Sequence, residues 1–376
     1  MKKHYDWLIV GAGYTGSIIA ERLATQAGKT SLVIDRRNHI AGNAFDRRND
    51  AGVLYHQYGP HVFHTNAPSI ATYLSQFTEW LPYEHRTLGS IDGRLVPIPF
   101  NLTSLQILFP KAEADRLTKI LIETYGMDQK VTILKMRESP IQGVRDLAEF
   151  IYQNVFYGYT TKQWGLTPEA LSPSVTARVP VYVSYDDRYF QDTFQNMPKL
   201  GYTKMFERIL GQPGIDVSLE TDIKDLGSEV TYDRLLYTGA IDEYFNYALG
   251  ELPYRSLRFD FQTYRQGRHQ AAGQLNYPMS HDFTRISEMA YLTQEWSDVT
   301  TVAIEYPMAH VPGKTEPYYP IPRDENHELH NKYIELAERE AANVVFAGRL
   351  GDYKYYNMDQ AVGRALSVFE KTIMGR

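Results

Sequence analysis

Trp7-Leu8-Ile9-Val10-Gly11-Ala12-Gly13-Tyr14-Thr15-Gly16 is the stretch that decides the fold. Its first four residues read as a strand buried in a parallel sheet. The glycine turn follows at once, and residues 17–24 then place small and apolar side chains on one side of a helix. A second strand pattern over 30–34 ends at Asp35. Strand, turn, helix, strand and acid stand in the order a dinucleotide site requires. Gly11 permits the tight turn, Gly13 lets the backbone of the Tyr14 and Thr15 turn approach a pyrophosphate, and Gly16 lets helix and strand pack closely. Free N–H groups at the helix start face the phosphates. Asp35, 19 residues after Gly16, can accept from ribose hydroxyls. The alternative is a glycine turn without a ligand.

The next residues, Arg36-Arg37-Asn38-His39-Ile40-Ala41-Gly42-Asn43, favour one dinucleotide. An arginine (Arg36) followed shortly by a glycine (Gly42) and a small polar residue (Asn43) resembles the second fingerprint of glutathione-reductase-like FAD proteins. Glycine at 42 would let backbone reach the pyrophosphate from the other side. FAD is therefore expected in preference to NAD.

The chain of 376 residues suits two or three lobes on a shared core. With 43% hydrophobic and 22% charged residues it reads as soluble and globular. No apolar run nears the roughly 18 residues of a membrane span, and the N-terminus lacks a signal-peptide pattern. A cytoplasmic protein without a membrane span is expected. The absence of cysteine excludes disulfides, thiolate metal sites and thiol nucleophiles. A formal charge of −6 gives no general attraction for nucleic acid, so an anionic ligand must be held by a few placed arginines. The 29 tyrosines fit ordinary amphipathic packing, or a wet cavity lined with phenols.

Further along, His61 and His64 stand three apart in a turn, with no third ligand near, and no metal is expected. Residues 68–80 read as a helix, 95–100 as extended because of prolines, and 114–125 and 144–156 as amphipathic helices. Alternation over 256–264 and β-branched residues over 299–306 suggest an antiparallel sheet. Strands at 234–239 and 343–348 return to the nucleotide lobe, and 358–373 reads as the last helix. The expected organisation is an α/β fold. A Rossmann-like FAD-binding domain is assembled from 1–66, 200–250 and 340–376. A mainly helical insertion spans 67–198, with a mobile lid near 170–180. An antiparallel-sheet substrate region spans 251–339.

Four strings narrow the family: Tyr58 to Thr65 (YGPHVFHT), Gly158 to Gly165 (GYTTKQWG), Pro317 to Pro320 (PYYP) and Gly348 to Asp359 (GRLGDYKYYNMD). With near end-to-end similarity, they resemble bacterial UDP-galactopyranose mutases. The resemblance implies an isomerase that interconverts UDP-galactopyranose and UDP-galactofuranose through a reduced-flavin N5 adduct at sugar C1. There is no net redox change, although the FAD must be reduced. UDP is the leaving group, and a homo-oligomer is expected.

Carried over by motif, Arg178 and Arg285 would bind the diphosphate, since arginine forks suit phosphate. His64 would stand beside the flavin with them as a catalytic group. Phe156, Tyr159, Thr160, Trp164, Tyr189, Asn276, Tyr319 and Tyr355 would line the substrate, with Tyr318 or Tyr319 the inward member of its pair. His61, Gly348, Arg349, Tyr356, Asn357 and Met358 would join the fingerprint residues around the cofactor. Asn357 departs from the family's usual aspartate and reads as a helix cap. Two rivals remain: an amine-oxidase-like FAD oxidoreductase, and a non-enzymatic interaction protein like the GDP-dissociation inhibitors.

Overall fold

The computed structural model describes residues 3–172, 175 and 179–375. Strand β1 (Lys3–Val10) sits at the centre of a five-stranded parallel sheet in the order Ile215–Ser218, β2 (Ser31–Ile34), β1, Val230–Tyr237, Val344–Phe346. Side chains alternate along β1. Trp7 and Ile9 join the core that contains Ile18, Ile19 and Leu23 of helix α1 (Tyr14–Ala27). Leu8 packs on the other face with Leu32, Leu235 and Tyr237. Both faces are covered, as an apolar parallel strand demands. The N-terminal, middle and C-terminal pieces of the chain thus build one sheet.

A seven-stranded sheet forms the second layer: Tyr319–Pro320, Tyr254–Tyr264, Thr300–Ala309, Arg285–Glu288, Gln274–Asn276, Thr87–Ile91 and Arg94–Ile98. Every pairing in it is antiparallel except that of Gln274–Asn276 with Thr87–Ile91. Its last two strands form a hairpin around Asp92 and Gly93, both at positive φ, the backbone a two-residue turn needs. This hairpin falls within the stretch read as mainly helical. The helices Leu102–Leu108, Lys111–Tyr125, Ile133–Arg137 and Gln142–Ile151 pack around Leu105, Leu117, Leu121, Val144, Leu147 and Ile151.

Gln142–Ile151 continues through a π-helical turn, Tyr152–Tyr157, into Gly158–Trp164. The helix expected over 68–80 is shorter, Pro68–Leu74. Trp80 belongs to a strand, Trp80–Pro82, and packs on Phe63 and Phe194 with ring centroids 5.2 and 5.3 Å away. Burial of that indole against two phenyl rings outweighs local helical preference. The last helix, Met358–Ser367, also ends in a π-helical turn, Val368–Ile373.

Candidate functional site

The C-terminal ends of β1, β2 and Val230–Tyr237 open on a cavity of about 1110 Å³, where ligands of open α/β sheets bind. Glycine geometry forms its floor. At Gly11, φ is +105° and a Cβ would meet Thr238 Oγ1 at 2.0 Å; at Gly16 a Cβ would lie 1.9 Å from the Gly11 carbonyl oxygen. Gly13 is the N-cap of α1, without a side-chain cap or an acid in the first turn. The two fingerprints meet here: the Ala41 N–H donates to the Ala12 oxygen at 2.9 Å, and a Cβ on Gly42 would come within 3.0 Å of Gly13 Cα. The result is a side-chain-free cradle at a helix N-terminus, which suits a pyrophosphate.

Asp35 accepts N–H bonds from Ala12 (2.9 Å) and Arg37 (3.0 Å), which fixes its carboxylate at the rim. Arg36 lines the cavity but pairs with Glu243 at 2.6 Å. Arg37, not singled out in the sequence, reaches Asn43 Oδ1 (3.0 Å) and Glu316 (2.6 Å), with its guanidinium 4.4 Å over the Tyr58 ring.

The loop carrying Gly348, Arg349, Tyr355, Tyr356, Asn357 and Met358 forms another wall. Asp352, also missed, organises it by accepting from Gly348 N–H (3.1 Å), Tyr356 OH (3.1 Å) and Arg364 Nε (2.9 Å). Asn357 is the N-cap of Met358–Ser367, its N–H donating to Gln360 Oε1 at 2.9 Å. Arg349 lines the cavity with no side-chain bond among the described residues, and burial lowers its hold on its proton. His61 also lines the cavity, donating its backbone N–H to His56 Nδ1 at 3.1 Å. Burial first, then its neighbour His56, pushes the His61 imidazole down to about 3, so it stays neutral.

A smaller recess of about 160 Å³ adjoins the cavity, lined by Phe156, Tyr159, Thr160, Trp164 and Asn276. Arg285, Tyr189, Tyr319 and Tyr355 line both spaces. Tyr319 stacks on Tyr355 with centroids 5.0 Å apart and planes at 14°, and lies 6.1 Å from Trp164. Tyr318 instead packs on Tyr58 and Phe259, so Tyr319 is the member that faces the recess. Arg285 Nε and Nη2 donate to Glu305 Oε2 at 2.8 and 2.6 Å, leaving Nη1 without a bond among the described residues. Burial opposes the Arg285 charge, but attraction to Glu305 outweighs it and the guanidinium holds its proton more tightly than usual.

Lys162 binds the Tyr277 carbonyl, and those of Ser280 (3.2 Å), His281 (3.3 Å) and Phe283 (3.0 Å). Arg255 Nε caps the Gln163 carbonyl at 2.9 Å. These cations fasten the helix Gly158–Trp164 to the sheet. No local pattern marked Glu305 or Arg255, because their partners are distant in sequence. Arg178 and much of the segment read as a lid lie outside the described residues, although Val175 and Val179 line the recess. Gly16 packs beneath the cavity floor and does not line it.

Fold and cavity define an α/β dinucleotide-binding protein with a second, aromatic ligand recess against the dinucleotide site. A model of the NAD(P)-binding Rossmann-like domain matches residues 9–77, and one of UDP-galactopyranose mutase matches 154–355. The chain is 38% identical to a probable UDP-galactopyranose mutase of Klebsiella pneumoniae, over 97% of this chain and 94% of that one. It is 32% identical to a dTDP-fucopyranose mutase of Escherichia coli, over 96% of each. The crystal structure of a reduced UDP-galactopyranose mutase superposes with a TM-score of 0.75 at 15% identity, covering 99% of this chain and 96% of that one. The chain belongs to the UDP-galactopyranose mutase family.

Proposed function

We propose that the protein interconverts UDP-galactopyranose and UDP-galactofuranose with reduced FAD in the large cavity. The observation that carries this reading is the shared wall. Arg285, Tyr189, Tyr319 and Tyr355 touch both spaces, so a sugar held by its nucleotide in the recess meets the cofactor at that junction. The glycine cradle around Gly11, Gly13, Gly42 and Gly348 fits the FAD pyrophosphate, Asp35 its ribose, and Arg349, His61 and Met358 the walls beside its ring. The chemistry FAD supplies, when bound and reduced, is an electron-rich ring nitrogen able to displace UDP from the anomeric carbon and let the sugar ring open.

The chain's own residues do the rest. Phe156 and Tyr159 offer flat faces to uracil, with Thr160, Trp164 and Asn276 around them. Glu305 anchors two arms of Arg285, which leaves Nη1 for the diphosphate. Arg178 is the expected second cation. Tyr319 and Tyr355 supply hydroxyls at the junction and exclude water from it.

The test is to incubate the purified, FAD-loaded protein with UDP-galactofuranose, with and without dithionite, and separate the products. Conversion to UDP-galactopyranose only after reduction is the expected result. Turnover of dTDP-fucofuranose alone would reassign the sugar nucleotide. Substrate-dependent dye reduction without isomerisation would favour the oxidoreductase reading.

A further inference from the structure

His64 stands on the strand Phe63–Thr65, which pairs antiparallel with Phe194–Pro198 and sets Gln195 opposite His64. The chain entering that second strand brings Asp192 beside the imidazole, with Oδ2 3.0 Å from Nδ1. Phe190 stacks on the ring at 3.6 Å and 15° and fixes its plane. The other carboxylate oxygen, Asp192 Oδ1, accepts Asn66 Nδ2–H at 2.9 Å, and Asn66 Oδ1 in turn accepts the Thr193 backbone N–H at 2.9 Å. Gln195 Nε2 donates to the carbonyls of Asp192 (2.9 Å) and Phe190 (3.1 Å) and pins the same turn. The polarity of this network is determined throughout. A backbone N–H can only donate, so Asn66 must present oxygen to Thr193 and nitrogen to Asp192. A carboxylate only accepts, so in the neutral ring the His64 proton must sit on Nδ1. Nε2 then has no partner among the described residues, and the ring lines the large cavity.

We infer that Asp192 is a positioning residue that locks His64 in the Nδ1–H tautomer, so that Nε2 offers the cavity a lone pair. The cavity ligand it suits carries an N–H or O–H donor at that point, while a ligand carbonyl there finds no donor. The inference rests on the proposed function only where it concerns turnover. The tautomer belongs to the chain.

Asn66 makes a near-isosteric substitution decisive. In Asp192→Asn the new amide must give its oxygen to Asn66 Nδ2, so its NH₂ faces His64 Nδ1. That nitrogen must then accept, and the proton moves to Nε2. Removing Asn66 as well frees the amide to turn and present oxygen to His64 again.

The experiment records long-range ¹H–¹⁵N spectra of FAD-loaded, ¹⁵N-histidine-labelled protein, with His64 assigned by its loss in His64→Gln. The expected results are Nδ1–H in the natural protein, Nε2–H in Asp192→Asn, and Nδ1–H again in the Asn66→Ala/Asp192→Asn double variant. Mutase kcat should fall about tenfold or more in the single variant and recover in the double, with KM and FAD content unchanged. Nε2–H in the natural protein overturns the proposal without recourse to any variant. So does an unflipped ring in Asp192→Asn, an unrestored ring in the double variant, or a flipped ring with full turnover. If the tautomers behave as expected but the natural protein lacks mutase activity, the proposed function falls and the positioning role stands.

Discussion

The two ends of the site are built from different materials. The dinucleotide end is made of backbone. Gly13, Gly16 and Gly42 bring main chain against main chain, and the helix N-terminus they expose needs no side chain to attract an anion. The recess end is made of side chains from separated segments: Phe156 to Trp164 from a helix, Arg285, Asn276 and Tyr319 from three strands of the sheet, and Tyr355 from a later loop. Its supports, Lys162 on four carbonyls and Arg255 on the helix end, are charged groups bonded to distant backbone. Backbone recognition is dictated locally and tolerates no added atom. Side-chain recognition is assembled by the fold and fails by degrees.

Alanine at two glycines tests the first half of that contrast most severely. At Gly16 the new Cβ would stand 1.9 Å from the Gly11 oxygen, a main-chain atom that cannot swing aside. Gly16→Ala should cost about 4 kcal/mol or more, a large part of the roughly 5–15 kcal/mol that holds a domain together. Loss of soluble, yellow protein is the expected outcome. At Gly13 the nearest atom would lie 3.7 Å away, an ordinary contact. Gly13→Ala should therefore fold with a melting temperature close to that of the natural protein and still lose FAD, because the methyl fills the cradle. Equal FAD content in Gly13→Ala and the natural protein would show that the cradle is not where the pyrophosphate lies.

Arg285→Ala probes the other end and should act by degrees. On the proposed function, losing a bond to a charged diphosphate costs about 1.5–3 kcal/mol, so kcat/KM should drop roughly 10- to 150-fold with FAD retained. Glu305, 1% exposed, would be left without its cation, and breaking such a pair costs about 3–5 kcal/mol. Arg285→Lys restores charge without the fork and should fall between. Turnover near normal in Arg285→Ala would remove this arginine from the site and undo the account of the junction.

The same contrast explains what could be read in advance. The glycine fingerprint announced its strand, turn, helix and acid because each depends on neighbours a few residues away. The residues carried over from the family's strings line the two joined spaces, apart from Arg178 outside the described residues. The supports stayed hidden. Glu305 reads as one polar position in a β-branched strand until Arg285 is placed opposite it by the strand register. Arg36, read as the arginine of the second fingerprint, is held by Glu243, while its neighbour Arg37 reaches Asn43. The Asp92-Gly93 turn is a hairpin signal, yet the strand after it contains Pro97, and its place at the sheet edge, where proline is tolerated, emerges only from the assembled sheet.

Burial lowers the proton affinity of histidines in the core, which gives the comparison a pH dimension. Burial lowers the His56 imidazole from its ordinary 6.5 to about 4. Between those values the unfolded chain binds a proton that the folded chain does not. Stability from this residue is therefore full above pH 6.5 and is lost as pH falls toward 4, at about 1.4 kcal/mol per pH unit. His56→Asn keeps an oxygen that can accept the His61 N–H and removes the titration. Urea unfolding at pH 4.5 and 6.5 should show a shallower acid loss in the variant. An unchanged loss would mean that His56 does not contribute to the acid limb.

Asn357→Asp is the mildest change and the one that best separates backbone from side-chain effects at the cavity wall. Asparagine and aspartate are equally good N-caps, and the Asn357 N–H bond to Gln360 uses main chain that the substitution leaves alone. What changes is charge. A carboxylate at a helix start gains about 0.3–1 kcal/mol from the helix dipole, so the melting temperature should rise by a degree or two at most, by way of the stability-to-Tm relation for a chain of this size. The same charge faces the cavity that Asn357 lines and opposes negative charge on a reduced cofactor. The flavin midpoint potential should therefore move slightly negative while the fold is, if anything, firmer. A potential that does not move, with the small gain in melting temperature intact, would confine Asn357 to its role as a cap and leave the cofactor's charge to the helix end and Arg349.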